Sequence, residues 1–115
     1  MKIFDCFSYW DEDLLLDLRL NILNDHVDFF VIAEGDKTWQ NNSKKLKFDI
    51  SKFPKFKNKI IYLPITNMPD GDDPYKRENY QRNCLKKGFE KASDNDIILI
   101  SDLDEIPNPK KIKQF

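Results

Sequence analysis

Asp102 and Asp104 stand two positions apart at the end of the run Asp96-Ile97-Ile98-Leu99-Ile100-Ser101-Asp102-Leu103-Asp104-Glu105-Ile106-Pro107. On an extended backbone both carboxylates point the same way, and such a pair can hold a hard divalent cation such as Mg²⁺ or Mn²⁺ together with substrate phosphates. The location suits that task. Ile97 to Ile100 are all aliphatic and mostly β-branched, which predicts a strand buried on both faces, as in a parallel sheet. Open α/β sheets bind ligands beyond the carboxyl ends of their strands, where these acids fall. The same residue types also serve an ordinary strand-to-turn junction.

The elements that must carry this pair alternate along the chain. Lys2 to Phe7 predicts a first strand. Glu12 to Asn24 has a helical period, with Leu14, Leu15, Leu18, Ile22 and Leu23 as its inward stripe, Asp17, Arg19 and Asn21 facing out, and Asp11 as its cap. Asp28 to Ala33 predicts a second strand, ended by Glu34-Gly35-Asp36. Lys59 to Ile65 predicts a third, at a sheet edge because of Pro64. Glu78 to Ala92 predicts a second helix, through Gln81, Leu85, Gly88, Phe89 and Ala92, which leads into the strand before Asp102. Asn108-Pro109 predicts a further helix start. Strand–helix alternation of this kind implies an α/β fold with a mostly parallel sheet and flanking helices in one domain, residues 1–115.

Composition excludes several functions. Charged residues are 34 % of the chain but cancel to a net −1, so the whole-molecule field draws in neither nucleic acid nor an anionic membrane. The lysines between Lys37 and Lys59 alternate with Trp39, Phe48, Phe53 and Phe56, and the phenylalanines are expected to cover a sheet edge while the lysines stay solvated. Cys6 and Cys84 are expected to be reduced and buried. His26, the single histidine, follows the first helix and could offset its C-terminal dipole. Asn41-Asn42-Ser43 matches a glycosylation sequon by chance. No apolar run approaches the ~20 residues needed to span a bilayer, and no secretory leader is visible, so no membrane anchor and a cytoplasmic location are expected.

Ile3-Phe4-Asp5-Cys6-Phe7, then Glu12, Leu14 to Leu16 and Arg19-Leu20, then Val27 to Glu34, Asn67-Met68-Pro69, Gln81-Arg82-Asn83 and Ile98 to Pro109 resemble, in order, glycosyltransferase family 17. The most specific piece is Ser101-Asp102-Leu103-Asp104-Glu105-Ile106-Pro107. The resemblance implies a GT-A, Rossmann-like fold and inverting transfer of N-acetylglucosamine from UDP-GlcNAc to a glycan or glycoconjugate acceptor. It also implies a divalent cation, usually Mn²⁺ with Mg²⁺ as the alternative.

In that frame Asp104 holds the metal, and Asp102 shares it or touches the ribose. Arg82 faces the diphosphate, Glu34 accepts from uracil or ribose, and the backbone around Phe7 and Ser8 lines the same crevice. Glu105 either caps the turn or positions the donor. Such a fold needs roughly 200 or more residues, so the chain is expected to be a fragment. The general base is expected beyond Phe115, as is a second neighbour for the strand Asp96 to Ser101. Two other classes also fit the residues. One is a non-catalytic binding module with a degenerate site. The other is a phosphatase of the haloacid-dehalogenase type, with Asp102 as nucleophile over Mg²⁺.

Overall fold

The apolar runs become the strands β1 (Ile3–Ser8), β2 (Phe29–Gly35), β3 (Ile60–Ile65) and β4 (Ile97–Ile100) of a computed structural model, which describes residues 1–112. They form one sheet, ordered β3-β2-β1-β4, with every pairing parallel. Helix α1 (Asp13–Leu23) crosses from β1 to β2. Helix α2 (Pro74–Cys84), tightened into a 3₁₀ turn at Leu85–Gly88, leads towards β4, and α3 (Pro109–Ile112) follows it. The result is the predicted α/β class, a Rossmann-like parallel sheet flanked by helices.

Because successive strand residues face opposite ways, each strand feeds two cores. Ile3, Phe7, Phe30 and Ile32 pack against Leu16, Leu20 and Leu23 of α1 and against Phe53 and Phe56. Phe4, Cys6, Val31 and Ala33 pack against Cys84 and Leu85 on the α2 side. The lysine-rich stretch behaves as predicted at its aromatics. Phe48 stacks on Tyr62 of the edge strand β3, with ring centroids 4.8 Å apart, and Phe56 meets Phe30 edge-on. Gly88 is needed for close approach, since a Cβ there would lie 2.2 Å from Val31 Cγ1. Both cysteines are free and buried.

Several expectations are corrected. The inward face of α1 is Leu16, Arg19, Leu20 and Leu23, while Leu14 is 86 % and Leu18 51 % exposed. The leucine-rich helix offers two apolar phases, and the one that is buried carries Arg19 to a partner on β1. The residue flanking its start is Glu12, not Asp11, and makes no side-chain cap. Helix α2 begins earlier than its apolar period indicates, because Asp73 accepts from the Tyr75 N–H and Pro74 occupies the first turn. At the end of α1, a lysine joins His26: Lys59 Nζ donates to the carbonyls of Asn24 at 2.6 Å and Val27 at 3.1 Å.

Strand β4 is also more open than a strand buried on both faces. It pairs with β1 and has no second neighbour among the described residues. The Ile97 and Ser101 N–H groups donate to Lys2 and Cys6 carbonyls, so by strand alternation the backbone polar groups of Ile98 and Ile100 point to the open side. Ile100 is 53 % exposed.

Candidate active site

Parallel pairing sets the carboxyl ends of β1 and β4 side by side, with Cys6 opposite Ile100. Beyond Ile100 the chain does not continue extended. The Glu105 N–H donates to the Asp102 carbonyl at 3.0 Å, and the Asp102 N–H donates to Glu105 Oε1 at 3.0 Å. These reciprocal bonds close a turn, so Glu105 caps it. The two aspartates therefore project from a turn rather than from a straight strand. Leu103 between them is buried, Asp102 is half-buried and Asp104 is exposed.

Beneath the turn lies a buried cation. Arg19 Nη2 and Nε contact the two Asp5 oxygens at 2.6 and 2.9 Å, and both side chains are fully buried. The same guanidinium donates through Nη1 to the carbonyls of Asp102 at 2.8 Å, Leu103 at 3.1 Å and Glu105 at 3.2 Å, and through Nη2 to Ser101 Oγ at 2.7 Å. Its Cζ sits 4.4 Å from the Phe7 ring centroid. A charge buried in this way is tolerable only when it is paired and its donors are satisfied. Sequence reasoning passed over Arg19 because charged helix residues usually face water. The available signal was Asp5, an acid inside an apolar strand that requires a buried cation.

The turn forms one wall of a crevice of about 310 Å³, with Asp102, Leu103 and Asp104 on one side and Ser8, Trp10 and Trp39 among the others. Trp10 and Trp39 meet edge to face, centroids 5.1 Å apart at 80°. Trp39 is fixed by donating its indole N–H to Gln81 Oε1 at 3.0 Å, while Gln81 donates to the Ala33 carbonyl at 3.1 Å. The buried Arg77 donates to the Trp39 carbonyl at 2.6 Å. Neither tryptophan was singled out as a site residue, since only the fold joins positions so far apart. A larger groove of about 700 Å³ opens at the other end of the strands, around Phe4, Phe29 and Phe89. The smaller crevice is the candidate because it lies at the carboxyl ends.

The remaining sequence candidates divide. Arg82 Nη2 lies 3.0 Å from Asp102 Oδ1 and 3.3 Å from Glu78 Oε1, which brings it to the site. Ser8 lines the crevice, whereas the Phe7 side chain is buried below it. Glu34 is fully buried and accepts from Lys44 Nζ, the Lys47 N–H at 2.7 Å, the Phe48 N–H at 3.0 Å and the Tyr62 hydroxyl at 2.8 Å. Three of these donors lie in the lysine-rich segment and tie it to the sheet, and the fourth, Tyr62, is on β3.

Among the described residues no three His, Cys, Asp or Glu side chains converge as a ready-made metal cage. The chemistry of Asp102 and Asp104 still fits a hard cation, which commonly takes one or two carboxylates and draws its other ligands from water and phosphate.

A family model for glycosyltransferase family 17 matches residues 1–115. The chain is similar to the β-1,4-mannosyl-glycoprotein 4-β-N-acetylglucosaminyltransferases of Homo sapiens and Rattus norvegicus, each 30 % identical over 116 aligned residues. The alignments cover 92 % of this chain and 22 % of each relative, so the chain spans about a fifth of the length of the proteins it matches. No solved structure matches at a significant level.

Proposed function

The chain belongs to glycosyltransferase family 17, and from that membership we propose that it forms the donor-binding part of an enzyme that transfers N-acetylglucosamine, with inversion, from UDP-GlcNAc to a glycan acceptor. The observation that carries this reading is the placement of Asp102 and Asp104 on one crevice at the carboxyl ends of β1 and β4. Asp104, the more exposed acid, would hold a divalent cation, with Asp102 sharing it or meeting the ribose. Bound there, Mn²⁺ or Mg²⁺ would act as a Lewis acid that neutralises charge developing on the departing diphosphate. Arg82 presents a planar fork with free donors close to Asp102, suited to phosphate oxygens. Trp10 and Trp39 supply apolar ring surface across the crevice from the acids.

Calorimetric titration of UDP in Mn²⁺ and in EDTA tests the reading. Binding is expected only with the cation, and equal affinity in both buffers would reject it. In an active full-length enzyme, Asp104→Asn keeps the shape and removes the charge. Transfer should then fall at least ~100-fold, about 2.7 kcal/mol of transition-state stabilisation. Phosphate release from a phosphomonoester, with Asp102 trapped covalently, would instead support the nucleophile reading.

A further inference from the structure

We infer that Arg19 is the positioning residue for the acidic turn: its buried guanidinium sets the conformation in which Asp102 and Asp104 face the crevice. The inference rests on the donor-site reading above. Nothing in the sequence resemblance gives Arg19 this task. It follows from where its donors go.

The guanidinium has five N–H donors in a rigid plane. Asp5 on β1 takes one edge of that plane at 2.6 and 2.9 Å, which fixes its orientation relative to the sheet. The remaining donors reach only groups of the segment that follows β4, namely three carbonyls and the Ser101 hydroxyl. Drawing the carbonyls of Asp102, Leu103 and Glu105 inward towards one cation curls the backbone around it. Residues of the turn must then present other groups outward, and Asp102 and Asp104 line the crevice on that outer side.

The Asp5 pair compensates the charge of Arg19 but takes only two of its five donors. The contacts with the turn go beyond it, and they join α1 and β1 to a segment more than eighty residues away in sequence, since Arg19 and Asp102 are 83 apart. Lysine at this position would keep the charge for Asp5, but its single nitrogen cannot serve Asp5, Ser101 and three carbonyls together.

The experiment is run on the 115-residue chain in an Ile100→Lys background, which keeps the exposed edge of β4 from pairing, and compares this parent with its Arg19→Lys and Ser101→Ala variants by amide NMR, titrating Mn²⁺ alone and then UDP. In the parent chain, paramagnetic broadening should appear first at the amides of residues 102–105. In Arg19→Lys, the signals of residues 101–106 should shift and broaden while those of β2 and β3 stay in place, and Mn²⁺ affinity should fall roughly 10-fold. Ser101→Ala removes one acceptor of Nη2 and should give the same pattern with a two- to threefold loss. If Arg19→Lys fails to fold, Ser101→Ala decides. Unchanged turn signals and unchanged Mn²⁺ affinity in the folded variants would overturn the inference. Failure of the parent chain to bind Mn²⁺ at these amides would overturn the donor-site reading instead, because turn signals that move in the variants would still report Arg19's hold on the backbone.

Discussion

Arg82 holds Asp102, a residue of the crevice wall, by a 3.0 Å contact in which both side chains are nearly half exposed, 46 % and 47 %. An exposed pair of this kind contributes about 0–1 kcal/mol, so it stabilises the fold little and can open for a better partner. Arg82→Ala is therefore expected to leave the denaturation midpoint almost unchanged. UDP affinity in the presence of Mn²⁺ should fall roughly 10-fold, as for loss of one charged hydrogen bond, about 1.4 kcal/mol. Calorimetry beside a urea titration separates the two effects.

Glu34 presents the opposite case. Its fully buried carboxylate pairs with the largely buried Lys44 and also takes two backbone N–H groups, so a substitution there leaves a charge and two donors without their carboxylate. Glu34→Gln should destabilise the chain by about 3 kcal/mol, in the range for breaking a buried pair. Tyr62→Phe removes one donor to the same carboxylate and should cost about 1.5 kcal/mol. Urea unfolding should rank them in that order; equal costs would mean that Lys44 is not the dominant partner.

Alkaline pH should weaken the fold. Burial pushes the Cys6 thiol from its ordinary 9.0 up to about 12, with the neighbouring Asp5 adding to the effect. The native state therefore keeps a proton that the unfolded chain releases. Stability from this group is complete below about pH 9 and is lost as pH rises towards 12. Tyr9 and Tyr62 act in the same direction, raised first by burial and then by their hydrogen bonds to Asp13 and Glu34. Thermal melts at pH 7, 9 and 10.5 should show a falling midpoint only above 9, and native Cys6 should resist alkylation at pH 8.

The open side of β4 should make the 115-residue chain associate. Ile98 and Ile100 present backbone donors and acceptors beside exposed aliphatic surface, with no charge or bulge between Ile97 and Ile100 to discourage strand pairing. Light scattering should find species larger than a monomer, and Ile100→Lys should shift them towards monomer. A monodisperse parent chain would show that this edge is already protected.

What was legible in the sequence follows from the range of the forces involved. Ile97 to Ile100 running into Asp102 and Asp104 located a strand and the acids at its carboxyl end, because apolar periodicity and strand ends are local properties, whereas the open side of β4 was not readable from the run itself. The parallel sheet was readable for the same reason. The phase of α1 was not, since Leu14, Leu15, Leu16, Leu18 and Leu20 satisfy two faces and the choice between them was made by Asp5, fourteen residues from Arg19. The straight run from Asp102 to Asp104 failed because Arg19 pulls the backbone into a turn, a contact that local propensity cannot register. Glu34 was placed correctly at the end of β2, but its partners come from Lys44, Lys47 and Phe48, whose path is set by tertiary packing.

The edge-to-face pair of Trp10 and Trp39 has a spectroscopic consequence. These are the two tryptophans of the chain, and both border the crevice, so all indole emission originates at the candidate site. A nucleobase or sugar ring entering beside them would change its intensity or wavelength directly, which makes the unlabelled protein its own optical reporter of occupancy.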